Sequence, residues 1–322
     1  MSKAPSLWGA QGKRKRAGFA LLAVIWGVGI ISLLVVSFMK TGRLRLQTAH
    51  NIASATQANY IADGVINLAT VTLIARRNAN AALPQNAPIY AGAPRYCVFD
   101  GAAIAVAVED EGGKVDLNAA PPELLEMTLV GLGVEARAAK SVVQSIVAFR
   151  TPPVVLGQPE PSPPSDRPFG PKRAPFETVL ELDQVEGVTP PLFRDLLPLA
   201  TTYSRSAGVD ARASPPALFA ALAGFRLADV QALRAVPYPN ALNRSDRRFP
   251  AQINQQSNQN AFLIHVEALL ATGQTVARDA ILDLSATSDR PFAIREMRRG
   301  QSKYVDRLRE MIATNGAGVP AC

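Results

Sequence analysis

A long hydrophobic stretch without a single charge follows a short basic segment at the start of the chain. No charged residue occurs between Ala17 and Met39, and residues 19–39 are almost entirely apolar. At about 1.5 Å per residue, a helix of that length spans roughly 30 Å, the thickness of the hydrocarbon core of a bilayer. The pattern therefore predicts one membrane-spanning helix over residues 19–39.

Helical character continues beyond this stretch, but the pattern becomes amphipathic. From Thr41 to about Arg77 no proline interrupts the chain, and Ile61, Val65 and Leu68 follow one helical stripe. We therefore expect one continuous helix, apolar all round in its first half and amphipathic in its second half. A buried helix of a soluble protein is the alternative, although such helices rarely follow directly after a run of basic residues.

Segments with strand character fall into two groups separated by about 150 residues. In the first group, residues 95–99 and 103–108 flank Asp100 and Gly101, and Asp-Gly between two β-prone runs favours a hairpin. In the second group, Thr272 and Gly273 separate two further β-prone runs, and a third strand follows them. The expected strands of this second group are 261–270, 274–284 and 291–298.

The stretch between the two groups has helical patterns and a proline-rich loop. Short helices are expected over 123–128, 135–150, 176–183, 190–197, 216–223 and 228–235, with nine prolines in the loop 151–175. Residues 115–125 match residues 209–219 at six of eleven positions, which suggests two related helix-turn-helix units. The chance of coincidence is appreciable in a chain rich in alanine and proline.

This order of elements predicts an α+β fold in which a long N-terminal helix packs on a small antiparallel sheet that carries a large helical insertion. The expected divisions are a leader (1–18), the membrane helix (19–39), the spine with the first strands (40–118), the helical insertion (119–240), the returning strands (241–300) and a C-terminal tail (301–322).

The net charge of +8 mainly indicates orientation in a membrane. The chain has 34 Lys and Arg; five of these precede the apolar stretch, which leaves 29 basic against 26 acidic residues elsewhere. By the positive-inside rule the N-terminus lies in the cytoplasm and the large domain lies across the membrane. The two cysteines, Cys97 and Cys322, are too few for a zinc cluster. They either pair in an oxidising compartment or stay as separate thiols.

The residues around the start of the apolar stretch resemble the leader of a type IV pilin-like protein. The stretch 14–22 is similar to a prepilin processing site, and the resemblance implies that a prepilin peptidase cuts between Gly18 and Phe19 and methylates Phe19. Most members of that superfamily have a glutamate at the fifth mature position, where this chain has Ala23. An uncharged residue there resembles the K minor pseudopilin of type II secretion systems.

Segments of the predicted insertion extend this resemblance. The stretches 109–118, 176–183, 188–190 and 199–204 are similar to the helical insertion of the K pseudopilin. The resemblance implies a single-pass inner-membrane protein with a periplasmic domain, located at the tip of the secretion pseudopilus. The I and J minor pseudopilins are its implied partners. The expected helix-packing residues are Leu21, Leu22, Ala23, Ile25, Leu33 and Leu34.

One acid-rich stretch has the oxygen ligands that calcium prefers. It comprises Glu109, Asp110, Glu111 and Asp116, and members of the resembled family bind calcium in their exported region. The spacing is not that of an EF-hand, and a charged loop at the end of a strand is usually just solvated. No cofactor is expected, and calcium at this stretch is the one alternative that the resemblance offers.

Two other functional classes have weaker support in the sequence than the pseudopilin hypothesis. Residues 130–133 lie between two helices and resemble a helix-hairpin-helix, so a membrane-anchored DNA-uptake receptor is the main alternative. Only Arg137 and Lys140 follow the hairpin closely, which is little charge for DNA binding, and no nucleic-acid partner is expected. An enzyme is not expected either, because the two histidines, His50 and His265, lie outside any recognisable catalytic motif.

Overall fold

The computed structural model describes residues 16–79, 90–152, 170–235, 249–285, 292–314 and 319–322. It divides the chain into two compact units, residues 1–57 and 58–322. In chain order, the helices are α1 (Arg16–Ala79), α2 (Pro122–Gly131), α3 (Ala136–Arg150), α4 (Pro190–Leu196), α5 (Pro216–Ala223), α6 (Leu227–Ala235) and α7 (Val305–Ala313). The strands are β1 (Arg95–Phe99), β2 (Ala102–Asp110), β3 (Val115–Asp116), β4 (Ala200–Thr201), β5 (Ala261–Leu269), β6 (Thr275–Asp283) and β7 (Ala293–Arg299).

A five-stranded antiparallel sheet forms the centre of the second unit, with strand order β1-β2-β5-β6-β7. The hairpin predicted from Asp100 and Gly101 is confirmed, and both residues have positive φ, 49° and 72°. Positive φ at both central residues is the requirement of a type I′ turn, which matches the twist of the flanking strands. The predicted third strand of the second group is β7.

Helices cover both faces of this sheet. On one face, the part of α1 within the second unit buries a stripe that includes Ile61, Val65 and Ile66 against apolar side chains of β2, β5 and β6. On the other face, Leu308 and Met311 of α7 pack on small residues of β2 and on Leu269. The central strand β5 is buried along its whole length because it is covered on both sides.

The region between β2 and β5 builds a second, helical core. Its buried side chains come from β3, from α2 to α6 and from the connecting segments, and Phe149 stacks on Phe176 with ring centroids 4.6 Å apart. Phe249 and Ile253, which precede the returning strands, also pack in this core. The α+β fold predicted from the sequence is thus present, with a long first helix, an antiparallel sheet and a helical region.

The two similar sequence stretches adopt the same local structure. In the first stretch, the Asp116 carbonyl accepts from Ala120 N–H, and α2 starts with proline at its N-cap and first turn. In the second stretch, the Asp210 carbonyl accepts from Ser214 N–H, and α5 starts in the same way. Proline suits these positions because its missing N–H would have no partner there.

One predicted helix is present with different bounds. A short helix was expected over residues 176–183, and the chain forms a 3₁₀ helix at Val179–Gln184. Thr178 caps it, and Gly187 follows soon after with φ +84°. Most of the proline-rich loop and residues 1–15 of the leader lie outside the described residues.

Candidate functional site

The apolar start of α1 presents hydrophobic side chains in every direction. Within residues 19–39, the expected packing residues are widely exposed, and the most apolar window of the helix is 0 % buried. Ala23, the departure from the resembled family, is exposed as well. The exposed fractions are Phe19 76 %, Leu21 66 %, Leu22 62 %, Ile25 63 %, Leu33 73 % and Leu34 51 %.

An apolar surface of this kind is unfavourable in water, at about 25 cal/mol for each Å². In the part of the chain that the structure describes, α1 is the one unbroken helix long and apolar enough to cross a membrane. The pair α5 and α6 is also apolar, but it bends by 118° and buries Leu218 and Phe219 in the helical core. The α1 segment is therefore a candidate membrane anchor.

The expected processing site lies at the start of the same helix. Gly18 and Phe19 fall within the first turn of α1, which begins at Arg16. The first four N–H groups of a helix have no acceptor within it, so a first turn opens more readily than the interior. Cleavage and methylation at this position stay predictions.

The acid-rich stretch at the end of β2 surrounds a buried lysine. Lys114 Nζ lies 2.7 Å from Glu111 Oε1 and 3.1 Å from Glu109 Oε2. Burial alone would lower the pKa of Lys114, but the charges of both carboxylates raise it above its usual value. Burial likewise acts to raise the pKa of Glu109, and the Lys114 ammonium outweighs it, so that pKa is lowered. The three groups therefore form a charged cluster inside the protein.

The other two acids of this stretch hold turns in place. Asp110 Oδ1 accepts from Gly112 N–H and from the Ser257 hydroxyl, both at 2.8 Å, and burial raises the pKa of Asp110 to about 6. One oxygen of Asp116 accepts from Asn118 and Ala119 N–H, and the other accepts from Ser204 Oγ and Arg205 N–H. Asp116 thus ties the first helical unit to the segment after β4.

All four acids proposed as calcium ligands have partners within the protein. Glu109 and Glu111 face Lys114, whereas Asp110 and Asp116 accept hydrogen bonds from turns. Among the described residues, no group of three or more His, Cys, Asp and Glu side chains is placed to hold a metal ion. Calcium binding stays a prediction from the resemblance.

A second polar cluster joins the helical core to the sheet. Asp283 at the end of β6 is 1 % exposed and accepts from Arg295 of β7 at 2.8 Å and from Arg205 at 3.1 Å. Burial acts to raise the pKa of Asp283, but Ser285 and both arginines hold it below its usual value. Nearby, the Tyr203 hydroxyl donates to Glu296 Oε1 at 2.6 Å. The helical region is therefore attached to the sheet by charged contacts.

His265 lies within the sheet between two carboxylates. Its Nδ1 lies 2.6 Å from Asp279 Oδ1 and its Nε2 lies 3.0 Å from Glu267 Oε1. Burial acts to lower the pKa of His265, but hydrogen bonds to these two carboxylates raise it overall. Glu267 also accepts from Ser302 Oγ and Tyr304 N–H, so the cluster fixes the segment that leads into α7.

The glycines of the possible DNA-binding hairpin have a packing role. A Cβ on Gly131 would lie 2.3 Å from the carbonyl oxygen of Ala221, so glycine lets α2 approach α5 closely. Gly133 has φ +90° and makes the turn toward α3. Lys140, one of the two nearby cations, lies 4.0 Å from Glu126. This geometry gives the DNA-binding alternative no support.

Several of the connecting residues were not identified from the sequence. They are Lys114, Arg205, Glu267, Asp283 and Arg295. The partners of Arg205 and Glu267 lie far along the chain, at Asp283 and Ser302, and local patterns do not reveal such pairings. The partners of Lys114 lie close to it in the sequence, at Glu109 and Glu111. The strand register would have been the one useful signal, because it places His265 opposite Asp279.

Comparison with known proteins gives a match at the level of structure. No protein-family model matches the chain, and no curated protein matches it. Among solved structures, it is similar to a chain of the structure described as the crystal structure of the GspK-GspI-GspJ complex from the enterotoxigenic Escherichia coli Type 2 Secretion System. The match has 17 % identity and a TM-score of 0.54, and it covers 81 % of this chain and 100 % of the other. The chain therefore has a pseudopilin-like fold.

Proposed function

We propose that this chain is a minor pseudopilin of a type II secretion system. Its suggested place is the tip of the periplasmic pseudopilus, where it helps to initiate assembly and so supports the export of folded proteins across the outer membrane. The role is mechanical and associative rather than enzymatic. It corresponds to that of the K subunit, with the I and J minor pseudopilins as partners.

The observation that carries this proposal is the combination of two features in one helix. The first part of α1 is apolar and exposed on all sides, and a later part of the same helix forms the core of a pseudopilin-like domain. A helix of this kind is suited to exchanging lipid for neighbouring helices along one apolar surface. The solved complex with GspI and GspJ supports other pseudopilins as the source of those helices.

The large helical region supports a place at the tip. It has a core of its own, and charged contacts such as Arg205 with Asp283 attach it to the sheet. A bulky region fixed in this way would leave little room for another subunit beyond it. Ala23 also lacks the carboxylate thought to pair with the N-terminal amine of a neighbouring subunit, as expected for a subunit that initiates the fibre.

Processing of the N-terminus tests the proposal. The full chain is co-expressed with a prepilin peptidase, and the mature protein is analysed by mass spectrometry. We expect the chain to begin at a methylated Phe19, and we expect Gly18→Ala to abolish this product. Gly29→Ala is the matched control, because a Cβ there meets no atom within 4 Å. An intact leader in the wild-type protein would contradict the proposal.

A further inference from the structure

The outer edge of β1 is occupied by a short segment from elsewhere in the chain. Val98 N–H donates to the Pro320 carbonyl at 2.9 Å, and Cys322 N–H donates to the Val98 carbonyl at 3.1 Å. Val98 and Ala321 therefore form a parallel bridge. We call residues 319–322 the edge segment. It lies beside β1 like an added strand and uses both backbone polar groups of Val98.

A disulfide between Cys97 and Cys322 holds this segment beside the sheet. The two residues are separated by 225 positions in the sequence, and their Cα atoms lie 5.0 Å apart. Cys97 is buried among the apolar side chains between α1 and the sheet, whereas Cys322 is exposed. The covalent bond therefore joins the exposed segment to a fixed point of the core, next to Val98.

With the described residues, the edge segment makes few non-covalent contacts. Val319 packs against the cluster under α7, while Pro320, Ala321 and Cys322 are exposed. A net hydrogen bond favours an ordered segment by about fivefold, whereas fixing the backbone of each residue disfavours it by about five- to thirtyfold. The free energy gained from two hydrogen bonds is therefore smaller than the free energy lost by ordering the backbone of four residues. The disulfide supplies the missing free energy, because it keeps the segment next to its site on β1.

We propose that the outer edge of β1 is a strand-binding site that the edge segment occupies only while the Cys97–Cys322 disulfide is intact. A dithiol reductant would donate two electrons and two protons, be oxidised to a disulfide itself, and leave thiols at Cys97 and Cys322. The edge segment would then leave β1 and expose the backbone groups of Val98. This inference goes beyond the proposed function and does not depend on it.

Release of the edge segment would change the surface of the protein in a defined place. An uncovered edge strand is a template for pairing with another chain, so the disulfide protects the sheet from edge-to-edge association. The segment also forms one wall of a groove of about 420 Å³ that lies between α1 and β1. Arg76 and Arg95 line this groove together with apolar side chains such as Val65 and Leu68. Reduction would therefore open the groove as well as the edge.

Hydrogen exchange on the full chain in detergent tests the proposal. Four samples are compared by mass spectrometry: the oxidised wild type, the wild type treated with dithiothreitol, Cys322→Ala and a deletion of residues 319–322. We expect exchange in peptides covering β1 to be slow in the oxidised protein and at least tenfold faster in the other three samples. Peptides from β5 provide the control, because that strand lies in the middle of the sheet.

Three results would overturn the proposal. If Cys322→Ala keeps the protection of the oxidised wild type, the edge segment stays on β1 without the disulfide. If the oxidised wild type exchanges as fast as the deletion variant, the segment does not cover the edge. If β5 loses protection together with β1 on brief reduction of the folded protein, the disulfide supports the whole sheet rather than its edge.

Discussion

Two parts of the same helix meet very different surroundings. Over residues 19–39, α1 exposes apolar side chains on all sides, and Leu33 is 73 % exposed. From Ala58 onward, α1 buries one stripe against the sheet, and Ile66 is 0 % exposed. Both parts have the backbone hydrogen bonds of one continuous helix, so the difference lies in the side chains alone.

This difference shows which part of the helix has its packing partner within the same chain. The second part is amphipathic, and the sheet supplies the apolar partner for its buried stripe. The first part has no polar face, and a helix that is apolar all round is stable only within a protein core or a membrane. It is therefore a candidate membrane anchor, and substitutions in the two parts should have separate effects.

The largest effect on the folded domain is expected from Lys114→Met. Removing the ammonium leaves the buried carboxylate of Glu111 without its partner, and breaking a buried ion pair in this way costs about 3–5 kcal/mol. Urea unfolding of the full chain in detergent measures the loss. Lys140→Met is the matched control, because Lys140 is exposed and its contact with Glu126 is 4.0 Å long. Equal stability of the two variants would contradict this account of the cluster.

A smaller effect is expected from truncation of a core residue of the second part of α1. Ile66→Ala should lower the free energy of unfolding by about 2–5 kcal/mol, because it leaves a cavity beside the sheet. Leu34→Ala removes a similar number of carbon atoms from the first part and should leave the same unfolding transition unchanged. A comparable loss in both variants would show that residue 34 is also part of the folded core.

A charge in the first part should affect the membrane rather than the fold. Ile30→Arg places a guanidinium near the middle of the apolar stretch, at a cost of about 2.5–3.5 kcal/mol for insertion. Less protein should then remain in the membrane fraction after carbonate extraction. Tyr60→Arg is the control, because Tyr60 is 74 % exposed in the second part. Unchanged extraction of Ile30→Arg would argue against a membrane position.

The smallest effect concerns the pH dependence of the His265 cluster. The pKa of His265 is raised above 6.5, so the contribution of the charged imidazole is complete below pH 6.5 and is lost as the pH rises through the folded-state value. The pKa values of Asp279 and Glu267 are lowered, so both are already ionised in this range. The stability difference between the wild type and His265→Gln should therefore shrink as the pH rises above 6.5. A constant difference would contradict the charged state.

The outline of the fold was predictable because it depends on local patterns. The uncharged stretch and the stripe after it give the long helix, and Asp100 with Gly101 gives both the first hairpin and its register. The repeated Asp and Pro-Pro positions give two helix starts with the same local structure. Each of these depends on residues that are near one another in the sequence.

The contacts between distant segments were harder to predict from the sequence. Thr272 and Gly273 predict the second hairpin, but a shift of one residue in register would place His265 opposite Ala280 instead of Asp279. The contacts of Asp283 with Arg205 depend on how the helical region lies against the sheet. The pairing of Cys97 with Cys322 was also left open, because it joins segments 225 residues apart.

Site-specific photocrosslinking at Leu33 tests the central claim most directly, since the claim is that the first part of α1 exchanges lipid for other helices. A photoreactive residue replaces Leu33, and the full chain is produced with and without the I and J minor pseudopilins; Ile66 is the control position in the folded core. We predict crosslinks to lipid in the chain alone and to the partner helices in their presence, with crosslinks from position 66 confined to the chain itself. Crosslinks from position 33 to the chain's own folded domain, both with and without the two partners, would contradict the account.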